Sequence, residues 1–150
     1  MDIRTLKAQH RVLLDRASEL AGLSARVRVR DDAFVADHVI EGMHALLVQH
    51  LQFEDEWLYP TLMQASGDQL RDFAADSFEE MGGILGAWLA YRKEWSAETI
   101  HAHPGRFATA TRGIVEALAL RVEREEDHLY PAMECLLSKL TEAVPTSAAA

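Results

Sequence analysis

Cysteine occurs once in the 150 residues, at Cys135, so no internal disulfide can brace the chain and packing must hold the fold. The same scarcity suits a reducing, cytoplasmic compartment. Glycine (eight) and proline (four) are few, and β-branched Ile plus Val total 14 against 23 Ala and 19 Leu. That balance favours helix, where straight-chain residues lose little rotamer freedom and β-branched ones lose more. Long apolar runs are missing too. The longest charge-free apolar stretch, Met81 to Tyr91, is too short to span a bilayer, so no membrane partner is expected. The opening MDIRTLKAQHRV is charged early and has no apolar core, so no secretory signal is expected. Basic residues are outnumbered, 15 against 24 acidic, leaving a formal charge of −9 that argues against a nucleic-acid partner. The cluster Arg26, Arg28 and Arg30 is read instead as a helix C-terminus, where cations suit the dipole. No nucleophile–base triad, phosphate-cradling glycine loop or cysteine zinc spacing occurs, so catalysis is not the favoured expectation.

What is present is helical periodicity. Apolar residues make up 49% of the chain, enough for one cored domain, expected over 1–142 with a frayed tail over 143–150. Ile3, Leu6, Leu13, Ala17 and Leu20 recur at three- and four-residue steps, with His10 in the same stripe. Asp32 is the expected N-cap of a second helix, striped by Val39, Met43, Leu46, His50, Phe53 or Glu54, and Trp57. Pro60 should end or kink it, and Ser66-Gly67-Asp68 should turn the chain. A third helix carries Leu70, Phe73, Ala74, Ser77, Met81, Ile84, Trp88 and Tyr91 on one side. His101 to Gly105 reads as a loop. A fourth helix turns Phe107, Thr111, Ile114, Leu118, Val122 and Leu129 inward, with Pro131 as its kink. Four amphipathic segments with short connections predict an all-α, antiparallel up-down four-helix bundle. Residues 53–60 and 124–131 also echo each other, each with three acidic positions followed by Leu-Tyr-Pro.

Polar residues on these apolar stripes mark the candidate site. His50 and Glu54 are spaced i, i+4 and share one helix face, and His10 lies at a comparable depth. Glu125 lies near the centre of its stripe with Arg121 and Glu126 on its flanks. Buried carboxylates must be paired, protonated or metal-bound. Glu54, Glu125 and Glu126 with Arg121 would carry −2, the charge one divalent cation neutralises; raised carboxylate pKa values would do the same without metal. Two imidazoles with carboxylates suit Fe(II), Mn(II) or Zn(II). Arg121 and Glu125, also i, i+4, fit an internal ion pair equally well. His38, His44 and His128 are expected in solvent, and His101-x-His103 lacks a third ligand.

Thr5 to His10, then His50-x-x-x-Glu54 running into Leu-Tyr-Pro, then Glu125-Glu126-x-x-Leu-Tyr-Pro together resemble the hemerythrin-like (HHE cation-binding) domains over about residues 5 to 135. The resemblance implies a bundle around a non-haem di-iron centre that carries O₂, senses oxygen or redox state, or manages iron and nitric oxide. It places His10, His50 and Glu54 on ligand positions, Glu54 as a bridging carboxylate, and Glu126 on the second bridge with Glu125 as its near alternative. It also exposes departures: Arg121 stands at the fourth helix's histidine, and Ser77 and Met81 at the third helix's pair. Gly83 to Ala87 nevertheless keep the family's register. The resemblance thus implies a half-site, mononuclear rather than di-iron, in which reversible two-electron O₂ binding should fail. The open readings are a non-catalytic iron, oxygen or redox protein, a metal-free regulatory or interaction module with Arg121 neutralising the buried acids, and a mononuclear iron oxidase. A homodimer also stays open.

Overall fold

The computed structural model describes residues 1–65 and 67–143 and is all-helical across them. α1 spans Ile3–Ser24, with the Asp2 carboxylate accepting from the Thr5 N–H at 2.8 Å as its N-cap. The expected cap at Asp32 shifts: α2 (Arg30–Phe53) begins three residues earlier, with Val29 at the cap position. Asp32 sits in the first turn and reaches back to accept from the Arg28 and Val29 N–H groups at 2.8 and 3.0 Å. Arg26, Arg28 and Arg30 consequently do not close α1, which ends at Ser24; they lie in the connection and at the opening of α2.

Pro60 does not end the second rod. The helix widens into a π turn over Glu54–Leu58, in which the Tyr59 N–H reaches the Glu54 carbonyl, and continues as α3 (Tyr59–Met63). The extra residue in the turn relieves the clash between the proline ring and the preceding turn's carbonyl. After Gly67 come α4 (Asp68–Met81) and α5 (Ile84–Glu94), so the single expected third helix is two, broken at Gly82-Gly83. A Cβ on Gly82 would stand 2.6 Å from the Phe78 carbonyl oxygen, so only glycine fits there. The expected loop at His101–Gly105 is instead the end of α6 (Ala97–Ala102) and the start of α7 (Pro104–Arg124), whose first turn tolerates Pro104. α7 passes through a second π turn, Glu125–Leu129, into α8 (Tyr130–Ala143), placing Pro131 as Pro60 is placed. Of the expected tail, Ala143 ends α8, and residues 144–150, like Ser66, lie outside the described residues.

Two apolar clusters form the core. Leu13, Leu20, Ile40, Met43, Leu47 and Trp88 belong to one, and Leu6, Leu58, Leu62, Leu129 and Met133 to the other. Each fully buried side chain of this size contributes about 1.5–3 kcal/mol. Leu46, Trp57, Leu70 and Val122 reach only half burial, and Phe73 is 37% exposed, because the helices meet along narrower stripes than expected. Among the described residues, no helix is long and apolar enough to cross a membrane.

Candidate metal centre

Between the two apolar clusters lies a layer of buried polar side chains: His10 from α1, His50 from α2, Glu54 from the first π turn, and Arg121 and Glu125 from the end of α7 and the second π turn. One ligand atom each from His10, His50, Glu54 and Glu125 lies within 4.8 Å of the other three. Glu126, expected as the inward carboxylate, is not in this group. Its side chain is 40% exposed, and it accepts from His10 Nδ1 at 2.9 Å from the outer side. Glu125 takes the inward place because it sits nearest the stripe centre, one helical turn past Arg121.

The outer ring nitrogens fix the orientation of both histidines. His50 Nδ1 lies 2.8 Å from Gln9 Oε1, which can only accept, so Nδ1 carries the proton. The Glu126 carboxylate does the same for His10. When the imidazoles are neutral, both Nε2 atoms therefore turn their lone pairs inward, as the outer-shell partners of metal-bound histidines arrange.

Inside, protons run short. Tyr130 donates to Glu54 Oε2 at 2.6 Å, so its one proton is committed and cannot also serve His10 Nε2, 3.0 Å away. Tyr59 donates to Glu125 Oε1 at 2.9 Å. His50 Nε2, Glu54 Oε1 and Glu125 Oε2 remain buried without hydrogen-bond partners. Yet His50 Nε2 is 2.8 Å from Glu54 Oε1, and His10 Nε2 is 3.2 Å from Glu125 Oε2. These are close approaches without hydrogen-bond direction: the lone pairs converge on shared space. Adjacent ligand atoms in an octahedral shell at about 2.1 Å stand about 3.0 Å apart. The donor set fits one cation, and the cavity beside it, about 20 Å³, holds about one water-sized occupant.

Arg121 fills the other side. It is 1% exposed, donates from Nε to Glu125 Oε1 at 2.7 Å, from Nη1 to the Met81 carbonyl at 3.2 Å, and from Nη2 to Asp55 Oδ1 at 2.8 Å. Its Nη2 is 3.7 Å from Glu54 Oε1, and its guanidinium lies 5.2 Å from the Tyr59 ring centre. The expected ion pair with Glu125 is present. The buried charge is still −2, but through Glu54, Glu125 and Asp55 rather than Glu126.

Without a metal, protons must balance this charge. Burial and the neighbouring Glu125 push the Glu54 carboxyl well above its ordinary range. Burial opposes ionisation of Glu125 as well, but His10 and Arg121 outweigh it and hold this acid low. Burial would depress the His10 pKa, but Glu125, Glu54 and Glu126 together raise it. For His50 the compensation is too small: burial and the His10 charge, with Arg121, outweigh the pull of Glu125 and push it down to about 3.

Sequence reasoning missed Gln9, Asp55, Tyr59 and Tyr130. The two tyrosines had a signal in the Leu-Tyr-Pro echo. The same 71-residue offset that pairs the echoes carries His10 onto Met81, His50 onto Arg121, Glu54 onto Glu125 and Tyr59 onto Tyr130. His44, expected in solvent, is half-buried and accepts from Trp88 Nε1 at 3.0 Å; His38 and His128 are exposed. Ser77 and Met81 are buried in α4 and offer no imidazole.

Searches of curated proteins and of solved structures each found no match. A scan of protein-family models matches the hemerythrin HHE cation binding domain over residues 1–133, nearly the whole described chain. With a buried histidine–carboxylate cluster that fits a cation, the chain belongs to the hemerythrin HHE cation-binding domain family.

Proposed function

We propose that this chain holds one iron ion between His10, His50, Glu54 and Glu125 and acts in oxygen, nitric oxide, redox or iron sensing or handling. The reading takes residues 1–142 as one antiparallel four-helix bundle in a reducing compartment, with Arg121 standing where the family's second metal belongs. One observation carries it: the inward lone pairs of His50, Glu54 and Glu125 lack hydrogen-bond partners and converge at coordination spacing. Bound there, iron would supply a redox-active centre with positions open to a small ligand. The chain's residues do the rest. Gln9 and Glu126 orient the imidazoles, Tyr130 and Tyr59 hold the far oxygens of Glu54 and Glu125, and the leucines around the cavity exclude bulk water.

The test is anaerobic loading with Fe(II), followed by metal analysis of the desalted protein. One iron per chain is expected, lost in His50→Ala. Two irons would refute the half-site, and none would refute metal binding. A second reading, a metal-free regulatory or interaction module, draws on the short ion pairs Arg121 already makes to Glu125 and Asp55. It predicts a fully folded protein whose melting temperature ignores divalent metal.

A further inference from the structure

The buried layer holds one charge that cannot join the ligand set. A guanidinium has donors only, so Arg121 cannot bind a cation. Yet its Nη2 stands 3.7 Å from Glu54 Oε1 and its Nε 2.7 Å from Glu125 Oε1. Hydrogen bonds to Glu125, the Met81 carbonyl and Asp55 hold it there, and the Tyr59 ring centre lies 5.2 Å from it. Nor can the group shed its charge. Burial opposes ionisation, but Glu125, Tyr59, Glu54 and Asp55 outweigh it and push the Arg121 pKa further up.

The charges around the cavity then distinguish one oxidation state from another. Glu54, Glu125 and Asp55 carry −3 and Arg121 carries +1. Ligating imidazoles are neutral, and burial raises both Tyr59 and Tyr130, so the phenols keep their protons. A divalent ion leaves this layer neutral, whereas a trivalent ion leaves it at +1. Glu126 adds its charge from a side chain 40% exposed, where water screens it. Surplus charge in an interior that solvates it poorly is costly. A unit charge about 5 Å away, at an effective dielectric of about 20, biases a one-electron equilibrium by roughly two orders of magnitude.

We propose that Arg121 selects the oxidation state of the bound ion, raising its reduction potential so that iron rests as Fe(II). The inference rests on the iron reading above and deepens it, since it assigns the regulation of that centre to a residue outside the ligand set. Arg121 acts through space and through Glu125, whose second oxygen it leaves free for the ion.

Anaerobic redox titration of the iron-loaded full chain tests it, with mediator dyes, Fe(III) followed by electron paramagnetic resonance, and metal analysis of the same samples. Arg121→Met removes the positive charge and should shift the balance towards Fe(III) by about tenfold or more, a midpoint lower by about 59 mV or more. Asp55→Asn removes a negative charge outside the ligand set and keeps an oxygen for Arg121. It should shift the balance towards Fe(II) by about threefold or more. Loosened packing would move both variants the same way, so opposite signs identify charge as the cause. One iron per chain with a midpoint unmoved in either variant, or moved alike in both, would overturn the inference and leave the iron reading standing. Should Arg121→Met not fold, an Asp55→Asn midpoint that is unchanged or lower overturns it alone. A wild-type chain that holds no iron would overturn both readings.

Discussion

Removing the Arg121 charge is the most informative perturbation of the buried layer. In Arg121→Met the side chain keeps much of its length, but Glu54, Asp55 and Glu125 lose their shared cation. Three hydrogen bonds also vanish, including the one to the Met81 carbonyl beside the Gly82-Gly83 break. Breaking a buried pair from one side costs about 3–5 kcal/mol, because the remaining charge is left in a poor solvent. In a chain of this size that corresponds to a melting-temperature loss of roughly 6–20 °C. Protonation of the orphaned acids softens the cost, so the loss should shrink between pH 7.5 and pH 5.5. A divalent cation should restore part of the stability and raise the variant's melting temperature more than the wild type's. Differential scanning calorimetry with and without Mn(II) or anaerobic Fe(II) measures all three effects. A variant as stable as wild type at pH 7.5 would refute the assignment of Arg121 as the counter-charge of the site.

Metal affinity should rise with pH. In the metal-free protein His10 and Glu54 hold protons above their ordinary pKa values, so the stability those protons give is present at lower pH and fades as pH climbs through the folded values. His50, pushed down to about 3, works oppositely between about pH 3 and 6.5 and is silent above that window. An incoming cation displaces up to two protons, so affinity measured by chelator competition should grow by up to roughly ten- to a hundredfold per pH unit below the folded values of His10 and Glu54 and level off above them; a flat profile refutes this. Gln9→Leu and Glu126→Gln should each weaken metal binding by about ten- to a hundredfold while leaving the melting temperature within a few degrees; unchanged affinity would remove them as orienting partners. Gly82→Ala should destabilise by about 1–3 kcal/mol in urea titrations, since its methyl would crowd the Phe78 carbonyl; a neutral result would mean that the break relaxes freely.

Periodicity carried the helical reading well because the stripes of α1 and α7 are amphipathic over five or more turns. The connections were harder. Asp32 looks like a cap from composition alone, and whether it acts from the cap position or the first turn depends on backbone angles. Pro60 and Pro131 look like terminators, but a π turn ahead of each absorbs the ring, and no residue type announces a π turn. At the site, the i, i+4 rule placed His50 against Glu54 correctly. It could not choose between adjacent Glu125 and Glu126, which differ by only 100° on the helix. Packing of α1 against α7 brings Glu125 to His10 Nε2 inside and leaves Glu126 to reach His10 Nδ1 from outside. Gln9 and Asp55 were invisible because each acts from another helix, and nothing in one helix's sequence reports which neighbour lies across from it.

The crossed phenols have a consequence for dissecting the chain. Tyr130, from the last rod, serves the acid of the second, and Tyr59, from the second, serves the acid of the last. Neither half of the duplicated pattern can therefore be excised as a working miniature. A fragment ending near residue 65 would lack both the Tyr130 hydroxyl and the helices that cover Glu54, and its complement would lack the Tyr59 hydroxyl for Glu125. Mixing the two fragments is the condition under which both carboxylates regain their donors, so helicity should appear on mixing rather than in either piece.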